Sequence, residues 1–188
     1  MQIIECGKEC VDTVRNIFMN YMGWYHSYFA STCVEIGLCR ALVALNNNTE
    51  IGAIVFYEAS TYPIKLAAMY YIAVVEEYRG MGVGKALVSS AEYLLENRLY
   101  IATTQRSNLS SRKMFRDLGY IEIPFEHLSE DVAEFVEKIT CSYEDDIVLY
   151  KGAINLEYIA SQNINKVVAD YIWRELCYKP WKMLRKIH

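Results

Sequence analysis

The spacing of apolar residues predicts a strand and then a helix at the N-terminus. Residues 1–6, MQIIEC, have the length and apolar content of a short strand. Residues 8–22 carry apolar side chains at the three- and four-residue intervals of a helix. These side chains are Val11, Val14, Ile17, Phe18 and Met22. We therefore expect one face of this helix to pack against the core.

Two further strands are predicted on either side of an asparagine-rich turn. The segments CRALVAL and IGAIVFYE flank the residues NNNTE, and asparagine tolerates the positive φ angles that tight hairpin turns need. Residues 67–75 are almost all apolar, which is typical of a strand buried on both faces.

The rest of the first 151 residues alternates between helical and strand patterns. Helices are predicted at residues 84–97, 108–118 and 129–139, and Gly119 closes the second of them. The segments LYIATT, YIEI and DIVLYK have strand character. This alternation predicts an α/β domain over residues 1–151.

Residues 152–188 are predicted to form a C-terminal helical extension. Their apolar positions suit a helix packed on the domain or on a second subunit, so a homodimer is possible in this interpretation. The last residues, YKPWKMLRKIH, separate an apolar side from a basic side on a helical wheel. We predict a docked terminal helix, and contact with a membrane surface or RNA is the alternative.

The composition indicates a folded chain without a strong charge bias. The 188 residues are 53% hydrophobic and 22% charged, with a net charge of −4, which argues against a general nucleic-acid binder. No apolar run is long enough to span a bilayer, and the N-terminus has no cleavable signal pattern. We therefore expect no membrane partner and a cytoplasmic location.

The cysteines give no sign of a metal site. The six cysteines form no C-x-x-C pair, and three histidines accompany them. No zinc or other metal site is therefore expected. We interpret the cysteines as buried or free thiols in a reducing cytoplasm.

A glycine-rich segment, YRGMGVGKAL at residues 78–87, is the main candidate for a binding function. A nucleotide-hydrolysing P-loop is excluded, because Arg79 replaces its first glycine and Ala86 its hydroxyl residue. A dinucleotide fingerprint is excluded because Val83 or Leu87 falls where its third glycine belongs. What remains is R-x-x-G-x-G before a helix, in which backbone N–H groups and the helix dipole favour a phosphorylated ligand.

Two segments together resemble the acyl-coenzyme A motifs of the GNAT superfamily of N-acetyltransferases. The first is IAVVEEYRGMGVGKALV, and the second, NLSSRKMFRDLGY, is similar to the family pattern N-x-x-A-x-x-[LF]-Y-x-x-x-G-[FY]. The motifs cover residues 72–120, and the predicted elements follow the family order over residues 1–151. The resemblance implies one α/β domain whose central, mostly antiparallel mixed sheet is flanked by helices.

The resemblance also implies an activity. A member of this family would transfer an acetyl group from acetyl-CoA to a primary amine of a small molecule or peptide, by direct attack of the amine. The alternative is a catalytically weak acyl-CoA-binding regulatory module.

The family motifs assign cofactor-binding roles to residues of this sequence. The pyrophosphate of coenzyme A is expected on the loop and the start of the helix, at Arg79, Gly80, Met81, Gly82, Val83, Gly84 and Lys85. The pantetheine arm is expected along Ile72, Ala73 and Val74, where a backbone N–H would polarise the thioester oxygen, and beside Asn108. Ser111 and Phe115 complete the expected cofactor contacts.

Two catalytic roles depart from the family pattern. Phe115 stands where the family has the tyrosine that protonates the departing thiolate, so Ser111 or a water is the expected donor. The strand before Val74 lacks the acidic base of many members and offers tyrosines, of which Tyr71 is the catalytic candidate. A water chain, Glu35 and His26 remain open as other candidates for the base.

The segment WYHSYFASTCVEIG occupies the place where family members build the acceptor side. Its aromatic residues are predicted to belong to a core-facing helix, because aromatic side chains mostly serve packing. An aromatic-walled acceptor pocket is the alternative. The residues concerned are Trp24, Tyr25, His26, Tyr28 and Phe29.

Overall fold

The computed structural model describes residues 1–96 and 98–186, and they form an α/β fold around one mixed sheet. Seven strands are hydrogen-bonded in the order β1-β2-β3-β4-β5-β7-β6. The strands are β1 Gln2–Cys6, β2 Arg40–Asn46, β3 Thr49–Ala59, β4 Leu66–Val74, β5 Leu99–Thr104, β6 Ile121–Pro124 and β7 Ile147–Lys151. The predicted fold class is confirmed.

Eight α-helices accompany the sheet in the described part of the chain. They are α1 Val11–Met22, α2 Trp24–Glu35, α3 Val83–Leu94, α4 Leu109–Asp117, α5 Glu130–Thr140, α6 Leu156–Ser161, α7 Asn163–Ile172 and α8 Lys179–Leu184. A π-helix, Trp173–Tyr178, joins the last two. The end of the helix predicted at 84–97 lies outside the described residues, as do residues 187 and 188 of the predicted tail.

The described chain divides into two compact units. The first unit comprises Met1–Tyr57 and Met69–Glu96, and the second comprises Glu58–Ala68 with the described residues from 98 onward. The domain boundary expected after residue 151 stays a prediction.

In the first unit, the hairpin predicted from the asparagine-rich turn is confirmed. Strands β2 and β3 pair antiparallel, and Asn47 and Asn48 between them have φ angles of 49° and 64°. Two consecutive positive φ angles are what a tight turn of this hand requires, and asparagine adopts them more easily than most residues.

The first unit buries one face of each of its helices. The α1 side chains Val14, Ile17 and Phe18 are buried, as the apolar spacing predicts. Helix α3 packs closely at Gly52 of β3, where an added Cβ would lie 2.9 Å from the carbonyl oxygen of Ala73 and 3.3 Å from Val83 Cγ1. A side chain at this position would therefore clash with the backbone of β4 and crowd the start of α3.

In the second unit, β5, β7 and β6 pair antiparallel, and the first residues of β4 pair parallel with β5. The parallel ladder joins Leu66–Ala68 to Leu99–Ile101. Helix α5 packs its buried side chains against α6 and α7 of the extension. The predicted C-terminal helical extension is thus present, and its first two helices are docked within this unit.

A buried asparagine attaches the extension to the loop between β3 and β4. The side chain of Asn165 is 0% exposed. Its Oδ1 accepts a hydrogen bond from the N–H of Tyr62 at 2.7 Å, and its Nδ2 donates to the carbonyl oxygens of Tyr62 at 2.7 Å and Ile159 at 2.9 Å. One side chain therefore satisfies three backbone groups.

The interpretation of the cysteines as thiols is wrong. All six are paired, as Cys6–Cys10, Cys33–Cys39 and Cys141–Cys177. Their Cα atoms are 5.7, 5.2 and 5.7 Å apart, which is a normal spacing for disulfides. The pairs escaped the sequence pattern because chain reversals after β1 and α2 join the first four cysteines, and tertiary packing joins the other two.

Among the described residues, no helix has the length and apolar content needed to cross a membrane.

Candidate active site

The glycine-rich segment forms a turn that leads directly into α3. After β4, a short 3₁₀ helix, Glu76–Tyr78, precedes the turn, and Gly82 caps α3 with φ 85° and ψ 1°. Gly80 also has a positive φ, 76°. Apart from the adjacent residues, no atom of the described chain lies within 4 Å of a Cβ built at either glycine, so the backbone of this turn faces open space.

The hydrogen bonds of this turn show which N–H groups remain for a ligand. The N–H groups of Arg79 and Met81 donate inside the turn, and the first bond of α3 runs from Ala86 to the carbonyl oxygen of Gly82. Within the described residues, no acceptor is found for four other backbone N–H groups. These belong to Gly80, Gly82, Val83 and Gly84. Such a group of donors at a helix N-terminus favours an anion.

The side chain of Arg79 is held near the end of β4. Its Nε donates to the carbonyl oxygen of Val74 at 3.1 Å, and its guanidinium carbon lies 5.8 Å from the ring centroid of Tyr21. Arg79 is thus exposed but anchored beside the turn, which keeps a positive charge close to the open N–H groups.

In the second unit, the second motif begins with a helix cap. The side chain of Asn108 accepts a hydrogen bond from the N–H of Ser111 at 3.1 Å and thereby caps α4. This bond leaves the amide nitrogen and one lone pair of the oxygen for a ligand. Arg112 Nε donates to Glu122 of β6 at 3.0 Å, and this guanidinium holds the pKa of the Glu122 carboxyl below its usual range.

Phe115 belongs to the core of the second unit. It is 2% exposed, and its ring packs edge-on against Tyr120, with centroids 4.8 Å apart. Position 115 therefore offers a ligand no hydroxyl group and little exposed surface. Ser111, one helical turn earlier, is half-buried.

The Phe115→Tyr variant tests whether a hydroxyl can return to this position. We expect a loss of stability of about 2 kcal/mol, because a buried hydroxyl without a partner is costly, and turnover within about threefold of wild type. Urea unfolding and release of free coenzyme A thiol measure the two effects. A tenfold gain in turnover would instead show that the new hydroxyl reaches the leaving thiolate.

The strand before the turn carries an aromatic cluster within the first unit. The ring of Tyr71 packs against Tyr70 at 4.3 Å, against Phe18 of α1 at 6.0 Å and against His26 of α2 at 5.7 Å. The hydroxyl of Tyr70 is buried and makes no well-formed hydrogen bond within the described residues. Burial, together with Tyr71 beside it, raises the pKa of Tyr70 well above its usual value, so this phenol keeps its proton.

Helix α2 is partly core and partly surface. Phe29 is buried as the core-facing prediction requires, whereas Trp24 and Tyr25 are 54% and 41% exposed. His26 and Tyr28 are half-buried. The first turn of this helix therefore lines the surface beside Tyr71.

A further pocket, of about 190 Å³, lies between α1 and the ends of β3 and β4. The sequence did not predict this pocket, because its polar residues lie on α1 and on β3, which are far apart in the chain. Its lining consists of Thr13, Asn16, Ile17, Asn20, Tyr21, Glu50 and Val75.

The model of the acetyltransferase (GNAT) family matches residues 11–120. This match covers more than half of the 188 residues and includes both motifs. The chain belongs to the acetyltransferase (GNAT) family. Membership supports acetyl transfer as the general reaction and acetyl-CoA as the donor.

Individual relatives of this chain are distant. An uncharacterised N-acetyltransferase of Chlorobaculum tepidum is 30% identical over 98 residues, which cover 48% of this chain and 57% of that protein. The chain thus spans little more than half of this curated relative.

Solved structures share the fold of this chain. An IAA acetyltransferase of Bacillus cereus has a TM-score of 0.59 and 20% identity over 81% of this chain and 99% of its own. A chain of the NatC complex bound to Gag peptide and CoA has a TM-score of 0.55 and 17% identity over 82% of this chain and 100% of its own.

The expected site residues fall in both units. The first unit contains Tyr71, Ile72–Val74 and the turn from Arg79 to Lys85, whereas the second contains Asn108, Ser111 and Phe115. Within the described residues, no group of three or more His, Cys, Asp or Glu side chains is placed to hold a metal ion.

Proposed function

We propose that this chain is an N-acetyltransferase that moves the acetyl group of acetyl-CoA to a primary amine of a small molecule or peptide by direct attack. The observation that carries the proposal is the αL conformation of Gly82 at the start of α3, with open space where a side chain would be. A diphosphate can approach such a backbone closely, and the N-terminus of α3 favours its charge.

The residues present fit coenzyme A. The N–H groups of Gly80 and Gly82–Gly84 would hold the pyrophosphate, and Arg79 and Lys85 would add positive charge. Residues Ile72–Val74 would pair with the pantetheine arm, and one of their N–H groups would polarise the thioester oxygen. Contacts of Asn108, Ser111 and Phe115 with the cofactor rest on the family resemblance.

Bound acetyl-CoA would supply an activated acyl group. The amine nitrogen attacks the thioester carbon, an N–C bond forms, the C–S bond breaks, and the departing thiolate takes up a proton. A coenzyme A thiolate is a tolerable leaving group, so the reaction does not require a tyrosine at position 115. Ser111 or a water is the proposed proton donor.

The second candidate function is an acyl-CoA-binding regulatory module with weak or no catalysis. The observations that favour it are the buried phenyl ring of Phe115 and a β4 strand without a carboxylate.

Release of free coenzyme A thiol from acetyl-CoA separates the two functions. We expect wild-type protein to release thiol with at least one member of a panel of small amines, peptides with a free N-terminus and aminoacyl compounds. Mass spectrometry should find an acetamide on the same acceptor. Tight binding of acetyl-CoA without turnover of any panel member would establish the regulatory module instead.

A cytoplasmic location and a homodimer stay proposals. The three disulfides remove the argument for a cytoplasmic location that rested on reduced cysteines, because such bonds are more usual in oxidising compartments.

A further inference from the structure

We propose that His26 is the general base that takes the proton from the acceptor amine, and that the acceptor binds beside the aromatic residues Tyr25, Tyr70 and Tyr71. This inference rests on the proposed function. It concerns groups that all lie in the first unit.

The hydrogen bonding of His26 defines its tautomer. Nδ1 lies 2.9 Å from the carbonyl oxygen of Met22, four residues earlier. A carbonyl oxygen can only accept a hydrogen bond, so Nδ1 carries the hydrogen. In the neutral ring, Nε2 therefore has the free lone pair that a base needs.

The backbone around His26 holds this ring in place. Ser27 Oγ donates to the carbonyl oxygen of Arg15 in α1 at 2.7 Å, and the Ser27 N–H donates to the carbonyl oxygen of Gly23 at 3.1 Å. Ser27 is buried. The first turn of α2 is thus bound to α1, and the position of His26 is set by groups that do not take part in the chemistry.

The ring of His26 lies beside the strand that would carry the thioester. It packs edge-on against Tyr71, with centroids 5.7 Å apart, and Tyr71 directly precedes Ile72, the first residue proposed to pair with pantetheine. An amine bound between this ring and β4 would have both a proton acceptor and an acyl carbon within reach.

The other candidates for the base fit less well. The oxygen of a neutral phenol such as Tyr71 is a weak base, so it is a poor proton acceptor. Glu35 is paired with Arg15 at 4.0 Å, and its side chain is 64% exposed. It lies nine residues from His26 on α2, which is about 13 Å along a helix.

The ring contacts of His26 are aromatic. Its titratable neighbours are Tyr25 on α2 and Tyr71 on β4, with Tyr70 behind Tyr71. α1 contributes Phe18 to the same cluster. In the described part of the chain, the imidazole forms no ion pair with a carboxylate, and its hydrogen bond is to a backbone carbonyl. An ammonium group approaching it would meet aromatic faces, which attract cations.

The hydroxyl of Tyr70 is a second indication that a ligand binds in this region. It is buried and keeps its proton, and although the Tyr71 side chain lies close enough to raise its pKa, the hydroxyl makes no well-formed hydrogen bond within the described residues. A buried donor without a partner is uncommon in folded proteins. A polar group of the acceptor, or a water bound with it, would satisfy this donor.

The proton balance of the step is complete. Nε2 takes one proton from the ammonium, the neutral amine attacks the thioester, and the tetrahedral species loses its second N–H proton as the C–S bond breaks. That second proton ends on the thiolate. The imidazolium then releases its proton to water, so the enzyme returns to its starting state.

The His26→Asn variant isolates this role, because the asparagine amide can still donate to the Met22 carbonyl but has no group in place of Nε2. With the panel amine that wild type acetylates fastest, we expect kcat/KM to fall about 100-fold at neutral pH. The deficit should shrink as the pH rises and the amine deprotonates by itself. Coenzyme A affinity should stay within twofold of wild type.

Two controls and one independent measurement complete the experiment. His127→Gln replaces an exposed histidine of the second unit and should leave kcat/KM unchanged. Nitrogen NMR of ¹⁵N-histidine protein should show neutral His26 protonated at Nδ1, with assignment by the His26→Asn spectrum.

The outcomes distinguish this inference from the proposed function. Wild type that acetylates no amine would overturn both. Active wild type with His26→Asn within threefold of it, a deficit independent of pH, or a neutral ring protonated at Nε2 would overturn the role of His26 alone. A greater loss for Glu35→Gln than for His26→Asn would assign the base to Glu35.

Discussion

The Gly82→Val variant is expected to lose coenzyme A binding while keeping its fold. Gly82 has φ 85°, where a β-branched side chain costs about 1–2 kcal/mol. Any relaxation toward negative φ would turn the N–H groups of Gly82 and Val83 away from a bound pyrophosphate. Loss of two such hydrogen bonds corresponds to about 100-fold in affinity or more. Calorimetric titration with coenzyme A measures the loss.

Gly119→Val is the matched control for this prediction. Gly119 has almost the same φ, 86°, and likewise no atom within 4 Å of an added Cβ. It follows the end of α4 in the second unit. Both variants should lose similar stability in urea, and only Gly82→Val should lose the ligand. Equal coenzyme A affinity in wild type and both variants would refute the assignment of the turn.

The Asn165→Leu variant should show the largest loss of stability, of about 3 kcal/mol. Leucine has a similar volume but leaves the N–H and carbonyl of Tyr62 and the carbonyl of Ile159 without their partner. Each lost hydrogen bond costs about 1 kcal/mol, and more where the abandoned group stays buried. Urea unfolding followed by circular dichroism measures the change.

Asn163→Leu, two residues earlier at the start of the same helix, is the control. Asn163 is exposed, so its replacement should change the free energy of unfolding by less than about 0.5 kcal/mol. Limited proteolysis should cut the 60–65 loop faster in Asn165→Leu than in Asn163→Leu. Equal unfolding midpoints for the two variants would mean that water replaces the asparagine amide without cost.

Local signals in the sequence predicted much of the fold. The Asn47–Asn48 turn, the apolar face of α1 and the end of α4 at Gly119 each depend on residues within a few positions of one another. Their geometry follows from φ preferences and helical spacing, which a single sequence displays. The glycine turn is also a local feature, because its backbone conformation depends on the positive φ angles of Gly80 and Gly82.

The features that escaped prediction depend on contacts between distant residues. Asn165 bonds to Tyr62, 103 positions away, and no local pattern marks either residue. Cys141 and Cys177 meet through the packing of α5 against the extension. The position of the His26 ring depends on both kinds of contact. Its hydrogen bond to Met22 is local, whereas its place beside Tyr71 follows from how α2 and β4 pack.

The pairing of Cys141 with Cys177 also explains an unusual backbone position. Cys141 ends α5 with φ 55°, a conformation in which glycine is the favoured residue. The crosslink spans 36 positions and contributes about 4 kcal/mol by loop closure, whereas glycine would relieve about 1 kcal/mol of backbone strain. We therefore expect cysteine to be retained at position 141 only in sequences that also have Cys177. In lineages that have lost Cys177, we expect glycine or asparagine at position 141, so the two sites should covary.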